Sequence, residues 1–493
     1  MMFLGLDIGT SGVKGIIVDE RDRQMASASA PLTVDRPRPL WSEQNPSAWW
    51  DATASALDQL ASENHEMMAG VAAMGLSGQM LGVTLLDDKD RPIRPALLWN
   101  DGRAAAECND LVERLPNLVD IVGCQPMAGF CAPKILWLSR HEPDAIRNAR
   151  RILLAKDYVR LLLSGEAISD YSDASATLLM DVRAGKWSPE IAEACGISTE
   201  VLPALSESGV IAGHLRKDLA LRWNLPANLP IAGGAGDNMS GAIGAGATQK
   251  GDAYISLGTS GVYFVANDRF IPAREGGMHT HRHARPGLFA QHGCVLSAAS
   301  ALSWIVDILK VPSIEGFLAD IEAKEFVPDE IPVFTPYLSG ERTPHNDPLA
   351  TATFSHLSFA TGPLHLGRAV LDGVAFAIAD CHDALRDAGA PIERIALIGG
   401  GSRSRFWGEI IATVIGHSLH VPVGAELGPA LGAARLARQA VGGDLLGPAV
   451  QSDLAVIAPI PDWVDAYRER RFRYRAHYPA LSCNLPIAAI SQK

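Results

Sequence analysis

One pentapeptide occurs twice: Gly9-Thr10-Ser11-Gly12-Val13 returns as Gly258-Thr259-Ser260-Gly261-Val262, 249 residues later. The first copy follows the apolar stretch Leu4 to Asp7 and the second follows Tyr254 to Leu257, and each runs on into another β-rich stretch. Strand, glycine-rich turn and strand make a β-hairpin. The same hairpin opening each half of a 493-residue chain predicts two domains built on one plan. The boundary is expected within the small-residue segment Gly241 to Gly251, giving domains of 1–247 and 248–493. Helical stretches read near 47–62 and 103–115, with strands near 70–76 and 82–87. In the second half, strands fall near 254–265 and 289–294, and helices start at about 298, 365 and 404. The mixture predicts α/β layers. The basic run Arg468, Arg470, Arg471 and Arg473 reads most simply as a solvated helix face.

A net charge of −12 argues against a nucleic-acid partner, which needs a basic face. It does not argue against a nucleotide, because local backbone donors hold phosphates. Seven cysteines are scattered with no CxxC spacing, so a disulfide framework or zinc site is not expected and a reducing cytoplasm fits. No apolar run reaches the ~18 residues of a membrane span, and Met1-Met2-Phe3-Leu4 reaches Asp7 too soon for a signal peptide. The sequence leaves open whether the chain forms a homodimer.

The chemistry concentrates in glycine-rich turns. In Asp7-Ile8-Gly9-Thr10-Ser11-Gly12, glycine lets successive N–H groups face a phosphate, Thr10 and Ser11 add hydroxyls, and Asp7 could hold a magnesium ion. A plain hairpin is the alternative. In the echo Ser256 stands where Asp7 would be, so only one loop carries the charge suited to a metal. Gly233-Gly234-Ala235-Gly236-Asp237-Asn238 follows a strand and presents Asp237 at the start of a helix, either as an ionised general base or as a simple N-cap. Ile398-Gly399-Gly400-Gly401-Ser402-Arg403 could lie against a planar ligand or phosphate, or be a bare turn. Gln79-Met80-Leu81 and Trp99-Asn100-Asp101-Gly102-Arg103 set polar groups among apolar ones. The second offers an aromatic face, a carboxylate and a guanidinium to a polyhydroxy ligand, against the alternative of a surface turn with a local ion pair.

With those segments assembled, the sequence resembles the FGGY carbohydrate kinases from Asp7 to about Arg435. The resemblance is carried by LDIGTSGVK (6–14), RPLWSEQNP (38–46), SGQM (77–80), WNDGR (99–103), APKILWLSRHEP (132–143), AKDYVR (155–160), GGAGDN (233–238), SLGTSGVYF (256–264), PYLSGERTPHN (336–346) and GPALGAARLA (428–437). It implies an actin-like and ribonuclease-H-like two-domain α/β fold closing over sugar and MgATP. Asp237 would be the catalytic base and Asp7 would help place the metal. Thr10, Ser11, Thr259 and Ser260 would meet phosphates, with Lys14 and Gly258 beside them, and Gly400, Gly401 and Ser402 would border the adenosine. Gln79, Met80, Leu81, Trp99, Asp101, Arg103 and Asn238 would form the sugar pocket. The implied acceptor is a pentulose, D-xylulose first, with another pentulose or a four- or five-carbon polyol as alternatives. From a different class, an actin- or chaperone-like ATP-driven binding module would share the phosphate loops but lack GGAGDN and WNDGR. Three positions depart from the family pattern: Leu81 stands where the family has His, Cys131 where it has Pro, Ser or Thr, and His356 where it has Gly.

Overall fold

A computed structural model describes residues 1–424, 426–446 and 455–482. Each half is organised around a seven-stranded mixed sheet. In the first, the order is Ile211–His214, Pro230–Ala232, Val71–Gly78, Met2–Ile8, Gly12–Asp19, Gln24–Pro31, with Ala235–Gly236 also pairing Val71–Gly78. In the second, it is His279–Arg282, Phe289–Val295, Gly261–Asn267, Asp252–Leu257, Arg394–Ile398, Leu419–Val421, Ala455–Ile457. Both contain three antiparallel strands continued by two parallel ones, so the duplication read from the hairpins extends to the sheets. This is the two-domain α/β, actin-like arrangement expected from the sequence. No helix among the described residues is long and apolar enough to cross a membrane.

The strands alternate, and each sheet face takes a different cover. Leu4, Leu6 and Ile8 face a core with Trp49, Leu57 and Leu60 from the helix Pro46–Glu63. That helix starts where Asn45 accepts a hydrogen bond from the Ser47 N–H, with Pro46 in the first turn. The other face, with Phe3, Ile16 and Ala73, packs on Ala430, Leu431 and Ala434 of the helix Pro429–Ala440. Here two glycines are required: a Cβ on Gly5 would lie 2.1 Å from the Ala430 carbonyl oxygen, and one on Gly75 1.9 Å from that of Ala433.

The cover is exchanged between halves. The helix Asp237–Ala245, from the first half, places Met239 and Ile243 against Tyr254, Phe264 and Ala396 of the second sheet. The two exchanged helices cross at another close approach, since a Cβ on Gly432 would lie 1.8 Å from the Ser240 carbonyl oxygen. Arg435 is buried at the crossing, donating to the carbonyls of Ile243 (2.7 Å) and Gly244 (3.0 Å) and pairing with Asp22.

The C-terminal arginine run departs from its reading as a solvated face. It lies on the helix Val464–Ser482, and Arg470 is buried, bonded to the Pro328 and Ile331 carbonyls and to Asp372 at 2.8 Å. Arg471 pairs with Asp380 and Asp383. Their partners lie on the helix Pro363–Asp387 and the loop before Val333, so the run fastens the tail to the second core. The left-handed φ of +61° at His356 shows why glycine suits that position, and histidine tolerates it better than most residues.

Candidate functional site

The two glycine-rich hairpins are not identical. Ile8 sits opposite Val13 in the first, leaving four residues in the turn, whereas Leu257 sits opposite Gly261 in the second, leaving three. In both, the first glycine N–H bonds back across the turn, Gly9 to the Gly12 carbonyl (3.0 Å) and Gly258 to the Ser260 carbonyl (3.1 Å). Thr259 is exposed at the second turn, and its carbonyl receives the N–H groups of Ala298 and Ser300. Gly399 and Gly401 press on Leu257, where a Cβ would lie within 3 Å, while Gly400 has nothing within 4 Å. This places Gly400, Gly401 and Ser402 beside the 258–260 turn with an open backbone face. The Ser402 hydroxyl caps its own turn by donating to the Gly399 carbonyl at 2.7 Å.

Asp237 is the first residue of its helix, with Gly236 at the cap position, so it is not the N-cap. One carboxylate oxygen accepts from the Asn238 N–H at 2.7 Å. Gly236 must lack a side chain, because a Cβ would meet Met80 at 2.6 Å and Asp173 at 3.0 Å. Burial pushes the Asp237 carboxyl up to about 7, and the charge of Asp7 pushes the same way. The expectation of a carboxylate held ionised by the helix N-terminus is therefore corrected: desolvation outweighs the helix end and the one backbone bond. Asp7 is also raised, to about 6, by burial, against weaker opposition from Ser77 and Lys14. Its Oδ1 has no hydrogen-bond partner in the protein. Two carboxyl groups raised by desolvation, the charge of Asp7 adding to the rise at Asp237 and one Asp7 oxygen orphaned, fit a divalent cation.

A cavity of about 180 Å³ lies between the halves with Asp237 and Asn238 in its wall. The first half contributes Met80, Leu81, Trp99 and Phe130. The second contributes Ser260, Arg342, Cys294 and three histidines, His279, His281 and His292. Of the residues singled out in the sequence for the sugar, Met80, Leu81, Trp99 and Asn238 reach the cavity.

Gln79, Asp101 and Arg103 stand behind it. Gln79 accepts from the Thr10 hydroxyl (3.0 Å) and donates to Gln44 (2.9 Å), and the Trp99 indole N–H donates to the same Thr10 oxygen at 3.0 Å. The Thr10 hydroxyl thus ties the first loop to the cavity wall. Asp101 and Arg103 form a buried pair at 2.7 Å that also takes in Glu43 (2.6 Å) and the Ser42 N–H (2.7 Å), with Trp41 stacked 3.6 Å from the guanidinium. The local ion pair of the alternative reading is present but buried rather than on a surface turn, and the pair stands outside the cavity wall with Nη1 of Arg103 left without a protein partner.

Leu81 adopts a left-handed φ of +69°, a strained state for leucine. Its carbonyl is gripped by the Lys134 ammonium at 2.6 Å and the Cys131 thiol at 3.3 Å, and Lys134 also donates to the carbonyls of Leu97 and Leu98. Lys134 lies within APKILWLSRHEP, but no charge pattern in the sequence marks it as a clamp. The histidines and Arg342 were likewise missed. Their one signal is His279-Thr280-His281, a period of two in a segment whose partner strand was legible.

The N-terminal domain of the FGGY family of carbohydrate kinases matches residues 2–244, and its C-terminal domain matches 253–441. The chain is 42% identical to a xylulose kinase of Escherichia coli K12 over 495 aligned positions, spanning 99% of this chain and all of that protein. It is 44% identical to one of Klebsiella pneumoniae, spanning 89% and 90%. A crystal structure of a "xyloylose kinase" from Brucella ovis superposes with a TM-score of 0.92 at 41% identity, covering 98% of this chain and all of that one. A gluconate kinase from Lactobacillus acidophilus reaches 0.88 at 23% identity, covering 98% of each chain, so likeness of fold alone does not select an acceptor.

Proposed function

This chain belongs to the FGGY family of carbohydrate kinases and is an ATP-dependent sugar kinase, and from that premise we propose that it phosphorylates D-xylulose to D-xylulose 5-phosphate, with Asp237 as general base. The observation that carries the reading is the Asp237 carboxyl group, half-buried in the wall of a small cavity that the two halves form together. A group at about 7 is poised to take a proton at neutral pH. Asp237 removes the proton from the terminal hydroxyl as that oxygen approaches the γ-phosphorus of ATP. Backbone N–H groups of the two hairpin turns, with Ser11, Thr259 and Ser260, meet the phosphate oxygens on which charge spreads. Gly400, Gly401 and Ser402 offer a flat border for the adenosine. A magnesium ion held beside Asp7 would supply the positive charge that the acidic floor lacks. Closure of the two halves over both substrates would exclude water, the competing acceptor. Measuring ADP release against pentuloses, pentitols and tetritols tests the function, and a rate that no added sugar raises overturns it.

The hairpins give a sharper test. Thr259→Val removes an exposed hydroxyl worth about 1–3 kcal/mol against a charged phosphate, whereas the Thr10 proton is already given to Gln79, so Thr259→Val should raise KM for ATP more than Thr10→Val does. Because the Thr10 hydroxyl also fixes Gln79 and Trp99, Thr10→Val should raise KM for the acceptor as well, whereas Thr259→Val should leave it unchanged. Equal effects on both substrates from the two variants would refute this division.

One observation favours a different acceptor: Leu81 gives the cavity an apolar wall where a histidine could bond a hydroxyl. Histidine tolerates the left-handed backbone there better than leucine does. Leu81→His should therefore raise kcat/KM for D-xylulose about tenfold relative to the other sugars, the scale of one buried hydrogen bond. If the wild type rejects D-xylulose and the variant does no better, the acceptor is another pentulose or polyol.

A further inference from the structure

We propose that the acceptor's hydroxyls are read by three histidines of the second half, His279, His281 and His292, an inference that rests on the sugar-kinase reading above. The sheet brings them together. His279 and His281 lie two apart on the edge strand His279–Arg282 and so share a face. His292 lies directly opposite His279 on the neighbouring strand Phe289–Val295. The ring centroids are 4.9 Å apart for His279 and His292, 5.2 Å for His281 and His292, and 5.6 Å for His279 and His281. All three line the cavity that holds Asp237, and none is more than 5% exposed.

Each has a ring nitrogen without a partner in the protein: Nε2 of His279, Nδ1 of His281 and Nδ1 of His292. Buried polar atoms in folded proteins are nearly always paired, so three orphans in one cavity wall call for a ligand that bonds them. Burial holds all three rings far below the ordinary imidazole range, His281 at about 3. A neutral imidazole donates at one nitrogen and accepts at the other, which matches a hydroxyl, itself donor and acceptor. His283, one alternation further on, provides the contrast. One of its ring nitrogens bonds the Ala247 carbonyl (2.9 Å) and the other accepts the Arg285 N–H (2.9 Å), leaving nothing for a ligand. Across the cavity stand Met80, Leu81 and Phe130, which offer no strong hydrogen bond, and the Trp99 N–H is occupied by Thr10. Asp237 and Asn238 are the polar side chains that the first half brings to the cavity, and Ser260, Arg342 and the histidines are those of the second, so most of the hydroxyl-bonding capacity lies on the histidine side.

A metal is the competing occupant, because His279, His292 and Cys294 bring ligand atoms within 4.8 Å of one another. Metal-bound imidazoles are almost always backed at the second nitrogen by a carboxylate, carbonyl or water. Here Nδ1 of His279 and Nε2 of His292 bond each other at 3.2 Å, and their second nitrogens are the orphans. Recognition of hydroxyls needs no such backing.

The test uses the full chain and whichever pentulose, pentitol or tetritol the wild type turns over fastest, so a wrong sugar does not decide the outcome. His281→Phe and His292→Phe keep the ring and remove its nitrogens. Each should raise KM for the acceptor about tenfold, with KM for ATP within twofold of the wild type and kcat changed less than KM. His281→Gln should recover part of the loss. Acceptor KM unchanged in both Phe variants, at a normal melting temperature, would overturn the proposal while leaving the kinase reading intact. If the variants do not fold, a wild-type crystal with the acceptor bound decides: a hydroxyl within about 3.2 Å of at least one of these nitrogens is expected, and none within reach overturns it. A wild type that phosphorylates no sugar overturns both readings.

Discussion

Asp237→Asn should keep nucleotide binding and lose turnover by about 10²–10⁴-fold, the usual cost of removing a general base. The amide preserves the shape of the side chain and can still accept the Asn238 N–H, but it cannot take the hydroxyl proton. The pH profile supplies a second signature. In the free enzyme the base works only when deprotonated, so kcat/KM for the acceptor should rise with pH through about 7 and then level off. The variant should lack that limb. Stability should move the other way. A carboxyl whose folded value stands above its unfolded one binds the more protons in the native state, so stability falls as pH rises from about 4 to 7. Asn removes that fall, and the variant should melt no lower than the wild type at pH 8. Near-normal kcat with the best acceptor would show that Asp237 is not the base.

Lys156→Met should be the most destabilising of the substitutions considered, by about 3–5 kcal/mol, the cost of removing one partner from a buried ionic cluster. Lys156 is fully buried and holds Asp157 at 2.6 Å, Asp170 at 2.9 Å and Asp173 at 3.2 Å, with Arg160 pairing Asp157 beside it. Burial opposes its charge, yet the three carboxylates overcome that and hold its pKa above the ordinary lysine range. Asp173 already sits well above its ordinary range, chiefly through burial. Without the ammonium, Asp170 and Asp173 lose that ion pair. The loss should appear as a lower urea midpoint at pH 8 and should shrink toward pH 5, where Asp173 can take up a proton instead. Midpoints equal to the wild type at pH 8 would refute this account. Since Asp173 abuts Gly236, the cluster also underlies the turn that presents Asp237.

Local features were legible in the sequence because they depend on local chemistry. The two hairpins needed only an apolar run, a glycine-rich turn and another run, and Asp237 followed from a strand running into glycines and then a helix. The Cα register of the second hairpin was not legible, because Gly258 to Val262 repeats the residues of the first turn while pairing one residue tighter. Polar residues misled wherever their partners were distant in sequence. That Asp101 and Arg103 stand behind the cavity wall was hidden because Glu43 and Trp41 lie some sixty residues away. Arg470 read as solvated because Asp372 lies on another helix. The raised pKa of Asp237 comes from desolvation first and the charge of Asp7 second, which only the meeting of distant segments could reveal.

The exchange of covering helices means that the halves cannot be treated as interchangeable parts. Cut away from the second half, the first would bare Phe3, Ile16 and Ala73 to water, together with the strip along Gly5 and Gly75 that only a close-lying helix backbone can cover. The helix Asp237–Ala245 would in turn lose the sheet on which Met239 and Ile243 rest, and with it the seat of Asp237. A chimera joining this N-terminal half to a relative's C-terminal half inherits that constraint. Its foreign helix must carry small residues where it crosses Gly5, Gly75 and Ser240, whatever its nucleotide loops look like. Altering sugar preference is less confined, since the edge strand bearing His279 and His281 takes no part in that crossing.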